Sequence, residues 1–183
     1  MSIFQKPDPR SLRVSEHFHG GKYRQNDERL KNPKITPNIA EITEKEFDAY
    51  INGFARGPFF VMQEAARNLK DNGRGINISS VISELRPPCG APYAGAKSAL
   101  EAFSDTLAQE LAPRGITVNV IAPGAVETKL LRALPSEVQG MVTQRTPLGV
   151  GRPSDIAGIA AFLASEGGAW ITAAKYRVDG GIR

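Results

Sequence analysis

The segment ITVNVIAPG, residues 116–124, constrains the fold of this chain more than any other feature. It is a nearly continuous apolar run that ends at a Pro-Gly pair. Such runs are typical of strands in parallel sheets, because helices cover both faces of these sheets. The segment therefore predicts a buried strand between two layers of helices.

The residues before this strand predict two helices and a second strand. Thr43 and Glu46 have the spacing of a capping box, which predicts a helix over EKEFDAYING. Gly57 and Pro58 interrupt that pattern, and a second helix is expected over FFVMQEAARNLK. The β-branched segment GINISSV then predicts a short strand.

The rest of the chain continues the alternation. A helix from Tyr93 is expected to end near Pro113, another helix begins at Pro153, and the tail AKYRVDGG alternates like a last strand. This order predicts an α/β fold with a mostly parallel sheet, flanking helices and right-handed crossovers. The helix from Tyr93 carries an apolar stripe, expected to pack in the core or between subunits, formed by Leu100, Phe103, Leu107 and Leu111.

The first part of the chain differs in composition. Residues 1–37 show no sustained periodicity, so we expect a basic, poorly structured leader followed by one domain at 38–183. The first forty residues hold eight Lys/Arg and four Asp/Glu, and the remainder holds fifteen of each. The positive charges are scattered among acids, which favours a solvated leader over an arm that binds nucleic acid.

Composition also limits the compartment and the metal chemistry. The single cysteine, Cys89, has no partner for an internal disulfide, and we find neither a long apolar run nor a signal-peptide pattern. We therefore expect a cytoplasmic protein with no membrane span. His17 and His19 lack a cluster of other ligands and are interpreted as surface residues, so no metal site is expected.

Three polar residues stand at a distinctive spacing. Ser80 lies at the end of the GINISSV strand, Tyr93 follows thirteen residues later, and Lys97 lies one helical turn beyond Tyr93. Thr128 follows the Pro-Gly end of the buried strand, and RVDGG lies near the end of the chain. Taken singly, each feature has a plain explanation, such as a turn serine or a solvated lysine. Taken together, they resemble the second half of a short-chain dehydrogenase/reductase, over roughly residues 35 to 183.

The resemblance implies a Rossmann-like domain that is truncated at its N-terminal side, with NAD or NADP as cofactor. It implies that Ser80 donates to the substrate oxygen, that Tyr93 is the acid/base, and that Lys97 binds the nicotinamide ribose. The residues that it assigns to the nicotinamide end are Pro123, Gly124, Val126 and Thr128. It also implies a homo-oligomer, because the helix that bears this tyrosine and lysine often forms a dimer interface in the family.

The chemistry of hydride transfer explains the tyrosine and lysine. A carbonyl that receives a hydride at carbon must receive a proton at oxygen, so an acid/base must stand beside it. Lowering a tyrosine pKa from about 10 to about 7 requires roughly 4 kcal/mol of preferential stabilisation of the phenolate. Because positions i and i+4 share a helix face, Lys97 is expected to stabilise the phenolate of Tyr93, with an oxidised nicotinamide adding positive charge.

Two departures from the family pattern bear on cofactor binding and proton transfer. No strand followed by a glycine-rich turn is present, and the early pair Gly20-Gly21 lacks both the third glycine and the preceding apolar strand. Phe54 stands where the family carries an asparagine that supports a proton-relay water, and Asn52 is expected to point elsewhere.

Two further departures concern the sheet edge and the last strand. The missing strands would leave the edge of GINISSV open, and we expect the leader, through LRVSEHF, to cover it. Ala173 stands where a glycine is common, which we interpret as a milder change.

The first functional hypothesis is an NAD(P)-dependent oxidoreductase that interconverts a secondary alcohol and a ketone. Its substrate lid is expected over LLRALPSEVQGMVTQRTPLG. The second hypothesis is a catalytically impaired, truncated homologue that acts as a cofactor-free interaction or oligomerisation module. A nucleic-acid binder is a distant third, and the sequence does not distinguish NAD from NADP or identify the substrate.

Overall fold

The computed structural model describes the backbone of residues 2–5 and 12–14, and residues 38–183 in full. Its strands are β1 (Ser2–Gln5), β2 (Leu12–Val14), β3 (Arg74–Ile78), β4 (Thr117–Pro123) and β5 (Lys175–Val178). Its α-helices are α1 (Glu44–Ile51), α2 (Gly57–Asn68), α3 (Ile82–Leu85), α4 (Ala91–Leu111), α5 (Lys129–Arg132), α6 (Ser136–Gln144) and α7 (Pro153–Ala164). A π-helical turn (Asn52–Arg56) joins α1 to α2, and 3₁₀ turns follow α4 (Ala112–Arg114) and α7 (Glu166–Gly168).

The strands form one sheet in the order β2-β1-β3-β4-β5. The pairs β3–β4 and β4–β5 are parallel, with Ile76 opposite Asn119 and Ile121 opposite Tyr176. These three strands and their helices confirm the predicted α/β fold. The neighbours β1–β3 and β1–β2 are antiparallel, so the N-terminal side of the sheet is mixed.

The N-terminal strands correct one expectation and refine another. No regular structure was expected before residue 38, yet β1 and β2 are strands. The edge of β3 is covered, as expected, but by β1, with Ser2 opposite Asn77, while β2 lies outside β1. The unpaired N–H and C=O groups of an edge can bind a segment that has no periodic pattern of its own. His17, His19, Gly20, Gly21 and most of the leader lie outside the described residues.

Strand β4 is buried on both faces, as its apolar run predicted. Val118 packs with Met62 and Leu107 on the side of α2 and α4. Ile121 packs with Leu163 of α7 on the opposite side. Burial of an aliphatic side chain of this size stabilises the fold by about 2 kcal/mol. The two core layers therefore fix β4 and hold its carboxyl end in place.

The path from α1 to α2 differs from the prediction at one point. The capping box is confirmed, because the Thr43 N–H donates to Glu46 Oε2 at 3.0 Å and the Glu46 N–H donates to Thr43 Oγ1 at 3.3 Å. Gly57 and Pro58 do not break the helix. They begin α2, where the missing N–H of a proline is tolerated, and the irregularity is the π turn before them. Such turns are frequent at functional sites.

The end of α4 depends on one glycine. Gly115 has a φ of 66°, and a Cβ placed on it would lie 2.4 Å from Asn72 Oδ1. Only glycine meets both conditions without strain. The chain can therefore turn directly from the helix of Tyr93 into β4.

Two features are absent from the described residues. None of their helices is both long enough and apolar enough to cross a membrane. Nor do three or more His, Cys, Asp or Glu side chains among them gather into a group that could hold a metal ion.

Candidate active site

Ser80 and Ser79 lie just beyond β3 and face opposite sides. The Ser79 hydroxyl is buried and donates to Glu101 Oε1 at 2.5 Å. The Ser80 oxygen accepts from the Ile82 N–H at 3.3 Å, and the Ser80 side chain lies close enough to Tyr93 to lower the pKa of that phenol. Because successive extended residues alternate in direction, only Ser80 reaches the tyrosine.

Tyr93 lies in the first turn of α4, half-buried among aromatic rings. Its ring centroid is 4.9 Å from that of Phe54, with the planes at 74°, and 6.3 Å from that of Tyr50. Burial raises the pKa of Tyr93, the Ser80 hydroxyl opposes that shift, and Tyr50 adds to it. The phenol is therefore held in its neutral, proton-donating form.

Lys97 lies one turn beyond Tyr93 and is buried. Its Nζ donates to the carbonyl oxygen of Ile78 at 2.8 Å. The same nitrogen lies 5.4 Å from the ring centroid of Phe54 and 5.8 Å from that of Tyr93. Burial lowers the pKa of Lys97 to about 8, and the negative charge of Glu101 acts against this shift.

This geometry corrects the expected electrostatics of the pair. We expected Lys97, together with an oxidised nicotinamide, to make the phenol of Tyr93 ionise more easily, whereas burial raises the pKa of Tyr93 in the chain alone. The same exclusion of water disfavours the phenolate and the ammonium alike. The ammonium is also directed to the Ile78 carbonyl.

Phe54 and Tyr50 complete the aromatic surroundings of the pair. Phe54 lies in the π turn, and its ring contacts both the Tyr93 ring and the Lys97 ammonium. A phenyl ring cannot hydrogen-bond a relay water. Tyr50 was missed by the sequence analysis, although its four-residue spacing from Phe54 places both rings on one side of the helical segment.

Pro123 and Gly124, at the end of β4, are held by backbone hydrogen bonds and close packing. The Gly124 N–H donates to the Val178 carbonyl at 3.0 Å, and a Cβ on Gly124 would lie 2.8 Å from Asp179 Cα, so packing requires this glycine. The Pro123 carbonyl accepts from the Val81 N–H at 3.0 Å.

Thr128 caps α5, and its Oγ1 accepts from the Leu131 N–H at 3.3 Å. The Thr128 hydroxyl can still donate a hydrogen bond of its own.

Val126 presents a free backbone pair. It forms a parallel bridge with Gly151, in which the bonds run from Gly151 N–H to Ala125 C=O and from Glu127 N–H to Gly151 C=O. The Val126 N–H and C=O point the other way and make no hydrogen bond within the part of the chain that the structure describes. One donor beside one acceptor is the complement of a carboxamide.

Comparison with known proteins decides the family. The family model described as enoyl-(acyl carrier protein) reductase matches residues 30–183. An uncharacterised oxidoreductase of Methylorubrum extorquens is 41% identical over 149 residues, covering 79% of this chain and 60% of the relative. The 3-oxoacyl-[acyl-carrier-protein] reductase MabA of Mycobacterium bovis is 37% identical over 147 residues, with the same two coverages. This chain belongs to the short-chain dehydrogenase/reductase family.

A solved structure of the same fold supports the assignment. The crystal structure of the angucycline C-6 ketoreductase LanV with bound NADP is 35% identical to this chain and superimposes with a TM-score of 0.75. The match covers 80% of this chain and 58% of that protein. The chain thus spans about 60% of the length of the short-chain dehydrogenase/reductases that it matches.

The residues present fit one end of a nicotinamide dinucleotide. The free backbone pair of Val126 suits the carboxamide, the Thr128 hydroxyl can donate nearby, and Lys97 offers donors beside Tyr93. The other end needs a helix N-terminus after a glycine-rich turn, where backbone N–H groups bind the pyrophosphate. No such turn follows β1, β2 or β3 within the ranges that the structure describes.

A charged cluster lies between α4 and β5, and the sequence analysis missed it. Lys175 Nζ contacts Glu101 Oε2 at 2.7 Å and Glu84 Oε1 at 2.8 Å, and Arg177 contacts Glu84 Oε2 at 3.0 Å. A hydrogen bond from Lys175 lowers the pKa of Glu84. Burial acts to lower the pKa of Lys175, but its hydrogen bonds to Glu101 and Glu84 raise that pKa above its ordinary value. This cluster joins the last strand to the helix of Tyr93.

The expected lid segment, residues 130–149, is largely helical. It contains most of α5 and all of α6. Leu130, Met141 and Leu148 expose 50%, 57% and 87% of their surface. Large apolar side chains are therefore exposed in the segment that follows the carboxyl end of β4.

Proposed function

We propose that this chain carries the catalytic half of an NAD(P)-dependent oxidoreductase that interconverts a secondary alcohol and a ketone. The observation that supports the proposal is the proximity of Ser80 and Lys97 to Tyr93: the Ser80 side chain opposes the rise in the pKa of Tyr93, and Lys97 Nζ lies 5.8 Å from the Tyr93 ring centroid. The three groups lie beside the carboxyl ends of β3 and β4, where α/β sheets bind ligands.

In ketone reduction, Tyr93 acts as the acid. The dihydronicotinamide, when bound, supplies the hydride that the carbonyl carbon accepts. Ser80 donates a hydrogen bond to the carbonyl oxygen, and the Tyr93 hydroxyl transfers its proton to that oxygen as negative charge develops there. The raised pKa of Tyr93 keeps this proton in place at neutral pH. The charge of Lys97 then stabilises the phenolate that remains.

The other site residues are proposed to hold the nicotinamide end. Val126 and Thr128 would bind the carboxamide, and Lys97 would bind the ribose. Pro123 and Gly124 would shape the wall of the site, since both are fixed by hydrogen bonds to neighbouring segments. The proposal includes both NAD and NADP as cofactor, because the residues that choose between them bind the adenosine end.

The names of the relatives favour a carbonyl substrate. MabA is a 3-oxoacyl-[acyl-carrier-protein] reductase and LanV is a ketoreductase, so both act on ketones. The description of the family model names an enoyl reductase, whose substrate has a carbon–carbon double bond. A hydrogen-bonding serine beside a phenol suits an oxygen atom that gains a proton, which supports the ketone.

A specific observation favours a second candidate, a catalytically impaired interaction module that binds no cofactor. The described residues supply no pyrophosphate site, and Phe54 cannot support a relay water. If contacts to about 20 cofactor atoms are missing, at roughly 0.3 kcal/mol per atom, affinity falls by about four orders of magnitude.

Cofactor titration of the purified chain separates the two candidates. We expect NADPH or NADH fluorescence to change saturably and Lys97→Met to weaken that change. Trp170 is a poor reporter because 98% of its surface is exposed. The absence of a saturable signal at millimolar NADH and NADPH would remove the enzyme proposal for this chain and leave the interaction module.

We also propose that the chain forms a homo-oligomer in the cytoplasm. Phe59 and Phe60 of α2 expose 39% and 40% of their surface, and the Phe59 ring lies 5.1 Å from Phe103 of α4. Exposed aromatic residues on adjacent helices are typical of an interface. Light scattering should show that Phe60→Glu shifts the protein toward monomer, whereas Trp170→Glu serves as a comparison at an exposed aromatic residue outside α2 and α4.

A further inference from the structure

The ammonium of Lys97 lies against aromatic rings instead of a carboxylate. Its Nζ is 5.4 Å from the ring centroid of Phe54 and 5.8 Å from that of Tyr93, within the distance for cation–π attraction. The only hydrogen bond of Nζ to a described residue is the one to the Ile78 carbonyl. With 6% of the residue exposed, water contributes little to holding the charge.

We propose that Phe54 is a positioning residue for Lys97. The ring of Phe54 keeps the lysine side chain charged and directed at the Ile78 carbonyl beside Tyr93. The T-shaped contact at 4.9 Å between the rings of Phe54 and Tyr93 gives Phe54 a fixed orientation. The π turn supports the same arrangement, because it places Phe54 toward α4 between two regular helices.

Few charged or titratable groups compete with Phe54 for this role. From α4, Glu101 favours the ammonium through its negative charge, and Tyr93 is held neutral by burial. From α1, Tyr50 faces the Tyr93 ring at 6.3 Å. From β3 the only polar group at Nζ is a carbonyl. Lys175 of β5 binds Glu101 and so weakens its effect on Lys97.

A cation–π contact at a desolvated site changes the ionisation equilibrium measurably. Loss of a contact worth about 0.5 to 2 kcal/mol corresponds to about half to one and a half pH units. The ionisation of Lys97, currently at a pKa of about 8, should therefore move further down when the ring is removed. This role deepens the proposed function, but its measurement needs no turnover.

The test is a pH titration of the lysine Cε resonances by NMR, with Lys97 assigned through Lys97→Arg. In Phe54→Leu we expect the Lys97 midpoint to fall by about half to one and a half pH units. Phe54→Trp should hold or raise it, because tryptophan is the stronger cation–π partner. Phe60→Leu is the matched control, since that exposed ring lies 5.2 Å from the Arg56 guanidinium, outside the site.

An isosteric substitution removes the ambiguity of an altered fold. Trifluorophenylalanine at position 54 keeps the shape of the ring and withdraws its electron density, so the Lys97 midpoint should fall as in Phe54→Leu. An unchanged midpoint in the fluorinated protein, or in a folded Phe54→Leu variant, overturns the proposal. A shifted midpoint in a chain that shows no cofactor binding overturns the proposed function alone.

Discussion

Two lysines in this chain lie in neighbouring regions, and their pKa values are shifted in opposite directions. Lys97 lies among aromatic rings with one carbonyl as hydrogen-bond partner, and its pKa falls to about 8. Lys175 lies between two carboxylates, and its pKa rises. We refer to the first surroundings, Tyr50, Phe54, Tyr93 and Lys97, as the aromatic region. We refer to the second, Glu84, Glu101, Lys175 and Arg177, as the charged region.

The difference separates a chemical role from a structural one. A buried ammonium without an acidic partner costs free energy and persists only where something else over-determines its place. An ammonium between carboxylates is compensated, and it ties β5 to α3 and α4. The aromatic region is therefore where catalysis should be sensitive, and the charged region is where stability should be sensitive.

The strongest test of this division removes the hydroxyl of Tyr93 from the aromatic region and, for comparison, a tyrosine hydroxyl that lies outside both regions. Tyr93→Phe should lower turnover of a ketone substrate by about 10²- to 10⁴-fold, because the acid is lost, while thermal unfolding changes little. Tyr176→Phe is the matched control and should keep turnover, because the Tyr176 ring packs with Ile121 and Leu163 on the α7 side of the sheet. Equal losses in the two variants would contradict the division into regions.

The pH dependence of stability sharpens the comparison. Because the folded pKa of Lys97 is about 8 and its unfolded value is 10.5, the unfolded chain binds more protons between these values. The stability contributed at this residue should therefore rise between about pH 8 and 10.5, by up to about 3 kcal/mol. Lys175 has a raised pKa, so its contribution is present below 10.5 and is lost only at higher pH.

Urea denaturation at several pH values, with and without Lys97→Met, measures this effect. Between about pH 8 and 10.5, the unfolding free energy of the wild type should rise relative to that of Lys97→Met, because the variant lacks the ionisable group. Lys70→Met, at an exposed lysine, should behave like the wild type. A wild type whose unfolding free energy follows that of Lys97→Met across this window would mean that Lys97 ionises as a solvated lysine does.

A substitution in the charged region should have a smaller effect, and this effect should fall on stability instead of catalysis. Lys175→Met leaves Glu101, whose side chain is 17% exposed, and Glu84 without their shared cation, and should cost about 2 kcal/mol of unfolding free energy. The pair is partly solvated, so the loss should be below that of a fully buried ion pair. Catalysis should persist in the folded variant. A loss of turnover without a loss of stability would assign Lys175 to the site.

Periodicity predicted most of the described fold, because it reports burial directly. The apolar run of β4 and the spacing of Leu100 and Leu107 in α4 identified the two buried layers. Periodicity failed for β1, where pairing depends on the open edge of β3 rather than on a pattern within the strand. It also misplaced the break at Gly57, because a π turn absorbs one extra residue without ending the helix.

Spacing placed the site residues, but it did not describe their surroundings. The thirteen-residue and four-residue intervals predicted that Ser80 and Lys97 lie near Tyr93, and Lys97 Nζ lies 5.8 Å from the Tyr93 ring centroid. The direction of the Tyr93 pKa depends on burial by Tyr50 and Phe54, which come from another helical segment. Long-range contacts of this kind have no local sequence signal.

The smallest predicted effect lies at Ala173, two residues before Lys175. Its φ is 53°, a left-handed conformation that costs a residue with a Cβ about 1 kcal/mol or more. The Ala173 N–H donates to the Val118 carbonyl at 2.9 Å, so the sheet holds the backbone in place. Ala173→Gly relieves this strain but adds freedom to the unfolded chain, and should stabilise the protein by about 0.5 kcal/mol. Ala169→Gly, at an α-helical φ of −63°, should destabilise it instead, and thermal unfolding of both variants checks the sign. A loss of stability in Ala173→Gly would show that the backbone before β5 holds the left-handed alanine without strain.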